Sequence, residues 1–336
     1  MELDLLSIIG IVIYLGIVID ILQTTLSMQG GGWLTSRFSH FFWKIFLLLS
    51  GKNGRSKFLA HTGYILLISI VLTWVFLLWS SMVLVLYGNP GSVINSTTKI
   101  PADFWEIVYY SGFTLSTLGI GDYIAGGDFW RMLTTIYSFT GLILLTMSVT
   151  YFVPVLSACI DQRKLGISLS TLGSTPQEMV INSWTGSDFS RLTSKADDLA
   201  NSIIKYSQQH RAYPVIHYFH NNKTKYNVIL QLTRLYEALI IISNKVNKED
   251  HPEKEDLNPL VVAFQNYFET ISEVTHISLM NEAPPAIEIR KLLEKRLIED
   301  SGSPELSQGE EKDRRFFKTL LHQDGWTWKD VNAKSS

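Results

Sequence analysis

Thr114-Leu115-Ser116-Thr117-Leu118-Gly119-Ile120-Gly121-Asp122-Tyr123 is the stretch that decides the fold. It reads T-x-x-T-x-G-x-G-D, and a long apolar segment lies on either side of it. Two glycines one residue apart let alternate residues take backbone angles that side chains disfavour. Successive carbonyls can then face one axis instead of alternating. Backbone this irregular survives at membrane depth only when buried in protein or lining a water-filled cavity. A Gly-rich turn between two packed helices is the plainer reading, but both flanking segments are long enough to span a bilayer.

Thr117–Asp122, TLGIGD, resembles the selectivity-filter signature of the potassium channel family, and Tyr64 to Val155 resembles that family's outer helix, pore loop and inner helix. The likeness covers under a third of the chain. It implies that rings of carbonyl oxygens replace the hydration shell of K+. The ion sites fall on Thr117, Leu118, Gly119, Ile120 and Gly121, with the Thr117 hydroxyl as a further ligand at the inner mouth. Tyr109 and Tyr110 stand where the family has aromatics bracing the filter, and Asp122 is placed to accept a hydrogen bond from Tyr109. The pattern departs at Ile120, where most members carry Tyr or Phe; an aliphatic residue there resembles the second filter of some two-pore-domain channels. Without a hydroxyl at Ile120, bracing falls to packing alone, and strict selectivity is open to question.

Charge divides the 336 residues into two unlike halves: residues 1–159 hold 7 of the 29 Lys/Arg and 7 of the 31 Asp/Glu. A membrane half therefore precedes a water-soluble half. The net charge of −2 gives no reason to invoke nucleic acid, and the lone cysteine, Cys159, leaves no cysteine-based metal site or intrachain disulfide.

Leu5–Leu26 is long enough to span, with Asp20 its one charge. The acidic start at Glu2 and Asp4 argues for a retained helix over a signal peptide. Asp20 is expected to pair with a basic neighbour or meet the headgroups. The segment after Gly30 mixes Phe38, Phe41, Phe42, Trp43 and Phe46 with Arg37, His40 and Lys44, and reads as an interfacial amphipathic helix. Arg37, Lys44, Lys52, Arg55 and Lys57, with no acid among them, keep it cytoplasmic and the N-terminus outside.

Tyr64–Tyr87 is the expected outer helix and Ala102–Phe113 the pore helix, capped by Asp103 with Glu106 in its first turn. Trp130–Val155 is the expected inner helix. Gly141 lies where the family often has a hinge glycine, and close helix packing explains it equally well. Leu142, Leu145, Val149 and Val153 form an aliphatic stripe at helical spacing. Narrow apolar rings gate by dewetting, and Pro154 should kink the helix just below. Gly141, Leu145, Val149, Val153 and Pro154 are the gating candidates.

From about Leu165 the pattern turns soluble. Helices are expected over Phe189–Gln209, Thr224–Val246, Leu260–Leu279 and Ile287–Glu299, and a poorly ordered end over 301–336 from which Phe316, Phe317, Leu320, Leu321, Trp326 and Trp328 can dock. No nucleotide-binding glycine motif, voltage-sensor arginine repeat or acidic calcium loop is present. His217 and His220 read as ordinary histidines rather than a metal pair. No catalytic set stands out.

The expected architecture is an all-α membrane protein. An N-terminal transmembrane helix (1–29) and an interfacial segment (30–60) precede an ion channel pore module (61–160), a helical cytoplasmic domain (161–300) and the C-terminal segment. The resemblance implies a bacterial-type, multi-pass cell-membrane channel subunit, homotetrameric in the lipid bilayer. It would carry K+ as permeant ion, with no cofactor, no enzymatic activity and an unknown regulator of the cytoplasmic domain. The alternatives are a weakly selective monovalent cation channel and a membrane-anchored signalling or scaffold protein. The charge pattern makes a testable topology. An impermeant thiol reagent should label a cysteine placed at Ser96 on intact cells, and one at Ser170 only after permeabilisation; the reverse pattern overturns the orientation.

Overall fold

The computed structural model describes residues 4–27, 30–247, 251–275, 278–298 and 305–334. Residues 276–277, inside the Leu260–Leu279 expectation, Glu299 at the end of Ile287–Glu299, and 301–304 lie outside the described residues, as do the extreme ends of the 1–29 segment. Among the described residues the chain is helical apart from one two-stranded antiparallel ribbon, so the all-α class holds. Three helices among the described residues are long and apolar enough to cross a membrane: Leu5–Leu26, Leu59–Tyr87 and Asp128–Ser170. Two compact units result, Met1–His40 with Ile65–Val155 and Phe41–Tyr64 with Leu156–Ser336.

In the first unit α1 (Leu5–Leu26) packs on α3 (Thr62–Tyr87). The contact is close enough that a Cβ at Gly10 would stand 2.7 Å from the Ser81 carbonyl oxygen. On α3, residues Leu66, Ile70, Trp74, Leu78 and Met82 recur every fourth position and are fully buried, which defines its inner stripe. Asp20 on α1 meets neither a basic residue nor solvent. Its Oδ1 accepts from the Leu34 and Thr35 amides (2.8 and 3.2 Å), and its Oδ2 from the Thr35 hydroxyl (2.5 Å) and the Trp74 indole (2.9 Å). Those amides open α2 (Trp33–Leu49), so a carboxylate from another helix supplies the cap that Gly32 has no side chain to make. A Cβ at Gly32 would lie 2.2 Å from that oxygen. The expected basic partner is unnecessary because four donors already neutralise the cost of burying the charge.

Between α3 and α5 (Asp128–Ser170) lie β1 (Val93–Asn95), α4 (Phe104–Leu115) and β2 (Tyr123–Ala125). The strands pair Val93 with Ala125 and Asn95 with Tyr123, closing the two ends of the α4 loop on each other. Met82, Leu86, Ile107, Tyr110, Phe113 and Tyr137 form the core beneath. The inner helix is longer than its apolar run: it continues through Pro154 to Ser170 instead of ending near Val155. Buried Leu165 and Leu169 keep a packing stripe going after the charges begin.

The second unit is built on α9 (Val228–Lys245), whose residues from Val228 to Leu235 are all buried. That run is buried on every side, including Gln231, Thr233 and Arg234, so α9 lies inside the domain and its polar side chains need partners there. The single helix expected over Phe189–Gln209 is instead α7 (Ser190–Thr193) and α8 (Ala196–Ala212). The helix expected from Leu260 already begins at Lys254, as α10 (Lys254–Thr275), and Ile287–Glu299 yields only α11 (Arg290–Glu294). A short α6 (Pro176–Ser183) starts at the Thr175 cap.

Residues 305–334, marked by composition as poorly ordered, form α12 (Gln308–Gln323) and α13 (Trp328–Asn332). The Ser307–Glu310 capping box starts α12, and Phe316, Phe317, Leu320, Leu321, Trp326 and Trp328 are buried. A buried bidentate pair, Arg314 Nε and Nη2 to Glu237 Oε1 and Oε2 (2.6 and 3.2 Å), pins α12 on α9. Arg234 donates to the Asp330, Val331 and Ala333 carbonyls, holding the end of α13.

Truncating Asp20 tests the cap. Asp20→Ala orphans buried donors at about 1–3 kcal/mol each, so the melting midpoint of the detergent-solubilised protein should fall by several degrees. Asp20→Asn, which keeps an acceptor, should fall less. An unchanged midpoint in Asp20→Ala would remove the capping role.

Candidate functional site

The loop Ser116–Asp122 is held at both ends by α4 and its surroundings. At the N-terminus of α4 the Asp103 carboxylate accepts from the Glu106 amide (2.9 Å) and Glu106 accepts from the Asp103 amide (2.7 Å), a complete capping box. Glu106 also accepts from the Tyr123 hydroxyl, tying the start of α4 to the far end of the loop. The Trp79 indole donates to the Val108 carbonyl (3.0 Å). Tyr110 is buried and shares a hydrogen bond with Thr134 on α5 (3.0 Å). These contacts fix the helix axis and so the direction in which its carbonyl end points.

How α4 ends matters most. The Leu118 amide donates back to the Phe113 carbonyl (2.9 Å) and the Thr117 amide to the Thr114 carbonyl (3.0 Å). This is a Schellman closure, and it places the residue after the cap in the left-handed region. That residue is normally glycine; here it is Thr117, at φ +58°. A β-branched residue there is strained, and such strain concentrates at functional sites. The left-handed conformation then recurs at alternate positions, Gly119 at φ +59° and Gly121 at φ +87°. Leu118, Gly119, Ile120 and Gly121 stand exposed, Leu118 at 66% and Ile120 at 51%. The loop leaves through Asp122, whose carbonyl accepts from the Ser96 amide (2.8 Å).

The other expected site residues fall around this loop. Tyr109 couples electrostatically to Asp122 and sets its ring edge-on to Tyr123 at 6.2 Å. Tyr109 and Tyr110, adjacent in sequence, thus split between the loop's far end and the α5 wall. On α5, Leu142, Leu145, Val149 and Val153 expose one continuous apolar face, with Val153 at 66%. Pro154 sits within the unbroken helix. Gly141 touches the back of the loop, where a Cβ would lie 2.1 Å from the Leu115 carbonyl oxygen. That is a packing constraint where α5 crosses the end of α4. Asp103, Glu106, Asp122 and Asp128 give the region an acidic character, and Arg131 pairs with Asp128 at 3.1 Å.

Thr117 was expected in the site, but its left-handed backbone was not. Trp79, Thr134 and the Glu106–Tyr123 link were not singled out as site residues by sequence; they are long-range contacts with no local signal. His217 and His220 do not share a site: His217 faces His210, and His220 faces Asp324. Among the described residues no cluster of metal-ligating side chains occurs.

A family model described as "Ion channel" matches residues 64–158, the segment from the outer helix through the inner helix. The chain belongs to the ion channel family. Its likeness extends well past that segment: it is 32% identical over 300 residues to the uncharacterized membrane protein YdjJ of Bacillus subtilis (strain 168), covering 89% of this chain and 85% of YdjJ. No solved structure matches. Family membership places α3, α4, the loop and α5 as one ion channel module, embedded in a membrane.

Two kinds of glycine in this module fail differently. At Gly119 and Gly121 an added Cβ meets nothing within 4 Å, but the positive φ makes any side chain costly, by about 1–2 kcal/mol. Gly119→Ala or Gly121→Ala should insert normally and lose ion flux in proteoliposomes. Gly141→Ala collides with backbone, so it should lower both flux and thermal stability. Wild-type flux in Gly119→Ala and Gly121→Ala would exclude the loop from the ion path.

Proposed function

We propose that the chain is a subunit of a potassium channel in which four copies bring their Thr117–Gly121 loops around one axis. The observation that carries this reading is the alternation of left-handed backbone at Thr117, Gly119 and Gly121, at the carbonyl end of α4. Alternate hands turn successive peptide planes the same way, so the carbonyls of an exposed loop become available to a single line of ions. One chain supplies one side of such a path, and rotational symmetry supplies the rest. The exposed apolar face Leu142–Val153 is then the wall below the filter, and Val149 or Val153 forms its narrowest ring. The basic segment Arg37–Lys57 is cytoplasmic in this reading, the N-terminus external and the second unit a cytoplasmic domain open to a regulator.

A weakly selective monovalent cation channel is the second reading, and Ile120 favours it. Ile120 is half exposed and brings no hydroxyl to the Tyr109–Asp122 side of the loop. Purified protein in a planar bilayer separates the readings by the K+/Na+ permeability ratio. Ile120→Tyr should give an equal or higher ratio than wild type, because a hydroxyl on that side stiffens the loop. A ratio near one in both proteins would establish the second reading; a clear fall on substitution would show that Ile120 is itself fitted to its neighbours.

A further inference from the structure

The second unit holds a buried ionisable pair that the conduction path does not use. His220 follows the turn Pro214–Tyr218 and is inaccessible. Its Nδ1 lies 2.8 Å from Asp324 Oδ1, and its Nε2 lies 2.6 Å from the Gly54 carbonyl oxygen. A carbonyl only accepts, and a carboxylate only accepts. Both bonds therefore exist together only if the pair carries one more proton than a neutral ring facing an ionised carboxylate. Wherever that proton sits, its loss turns two lone pairs toward each other in a dry site.

The three residues joined are far apart in sequence. Asp324 ends α12, His220 lies before α9, and Gly54 belongs to the loop that leads into the outer helix. Around them the same two segments meet again. The Gly54 amide donates to the Gly325 carbonyl (2.7 Å), the Trp43 indole to the Gln323 carbonyl (3.0 Å), and Arg55 pairs with Asp330 (3.1 Å). A Cβ at Gly54 would stand 2.8 Å from the Trp326 ring, so the approach is as close as backbone allows.

We propose that His220 and Asp324 form a proton-held latch that fastens the turn after α12 to the loop before the outer helix, and that the latch opens when the shared proton is lost. The groups facing the pair do not obscure it. The Asn227 amide donates to Asp324 Oδ2 (2.7 Å), and the Trp43 and Trp326 rings cover the imidazole. Tyr206 and Tyr267 feel the Asp324 charge, but burial holds both phenols neutral. Burial and His217 push His210 down to about 3, so it stays uncharged. Asp330 is held below its ordinary value despite part burial, by the Thr327 amide and hydroxyl and by Arg55. His322, two residues from Asp324, is exposed.

Burial alone would lower the His220 pKa, but the Asp324 charge and hydrogen bond and the Gly54 carbonyl outweigh it and raise it above 6.5. A group raised in the closed state stabilises that state fully below its ordinary value. The stabilisation falls as pH rises from there to the closed-state value and is flat beyond.

Amide exchange on the full-length protein in lipid nanodiscs tests the latch without reference to ion flux. Corrected for intrinsic exchange, protection over 51–57 and 323–327 should fall about tenfold per pH unit above 6.5 and then level off. Peptides from 228–245 should keep their protection. His220→Gln should abolish the pH dependence, and so should Asp324→Asn. A flat wild-type profile, or the same slope in wild type and a folded His220→Gln, would overturn the proposal. If neither variant retains protection over 228–245, the wild-type profile alone decides.

Discussion

Hydrocarbon offers no partner to a peptide group, and everything around Ser116–Asp122 follows from that. The Schellman closure satisfies the last carbonyls of α4 while turning the chain into the left-handed region at Thr117. Once Thr117 has turned, Gly119 and Gly121 repeat the turn at two-residue intervals, and the loop stays extended instead of collapsing into another helical turn. The β1–β2 ribbon and the Asp122 carbonyl then return the chain to α5 with its backbone paired. The strain at Thr117 is held by contacts that sit behind the loop: Trp79 on Val108, Tyr110 on Thr134, and the α5 backbone against Leu115.

Several of the buried charged groups are used to aim something. Asp20 spends its four acceptor positions fixing where α2 begins relative to α1 and α3. Glu237 and Arg314 satisfy each other and the Pro285 carbonyl, registering α12 on α9. Such a pair contributes little net stability over an apolar one, but breaking it by removing one partner costs several kcal/mol. The latch residues belong to the same class, with the difference that their bonding depends on a proton that solution pH controls.

The membership in the ion channel family and the continuous likeness to YdjJ give the second unit a standing of its own, since that likeness extends beyond the pore module. Its composition is that of a soluble helical domain, yet it includes Phe41–Tyr64 from between two spanning helices. A segment that reads as interfacial by charge is thus half committed to the packing of the C-terminal helices, through Trp43, Gly54 and Arg55.

The sequence alone determined the spans, the pore helix with its Asp103 cap, and the T-x-x-T-x-G-x-G-D loop. Each rests on a local signal: hydropathy over a bilayer's thickness, a cap within three residues, glycines at alternate positions. Periodicity also placed α9, although it joined α7 to α8. Tertiary structure decided the rest. Asp20 looked like a charge in need of a cation because its donors are 14 to 54 residues away. The inner helix looked finished near Val155 because hydropathy ends there, while packing carries it to Ser170. The C-terminal 305–334 looked poorly ordered because its surface is charged; its buried face of Phe316, Phe317, Leu320 and Leu321 has value only against α9 and the α10 rings of Phe264, Tyr267 and Phe268. Gly141 as a site of close approach, and the strain at Thr117, depend on where a distant backbone lies, which no window of sequence contains.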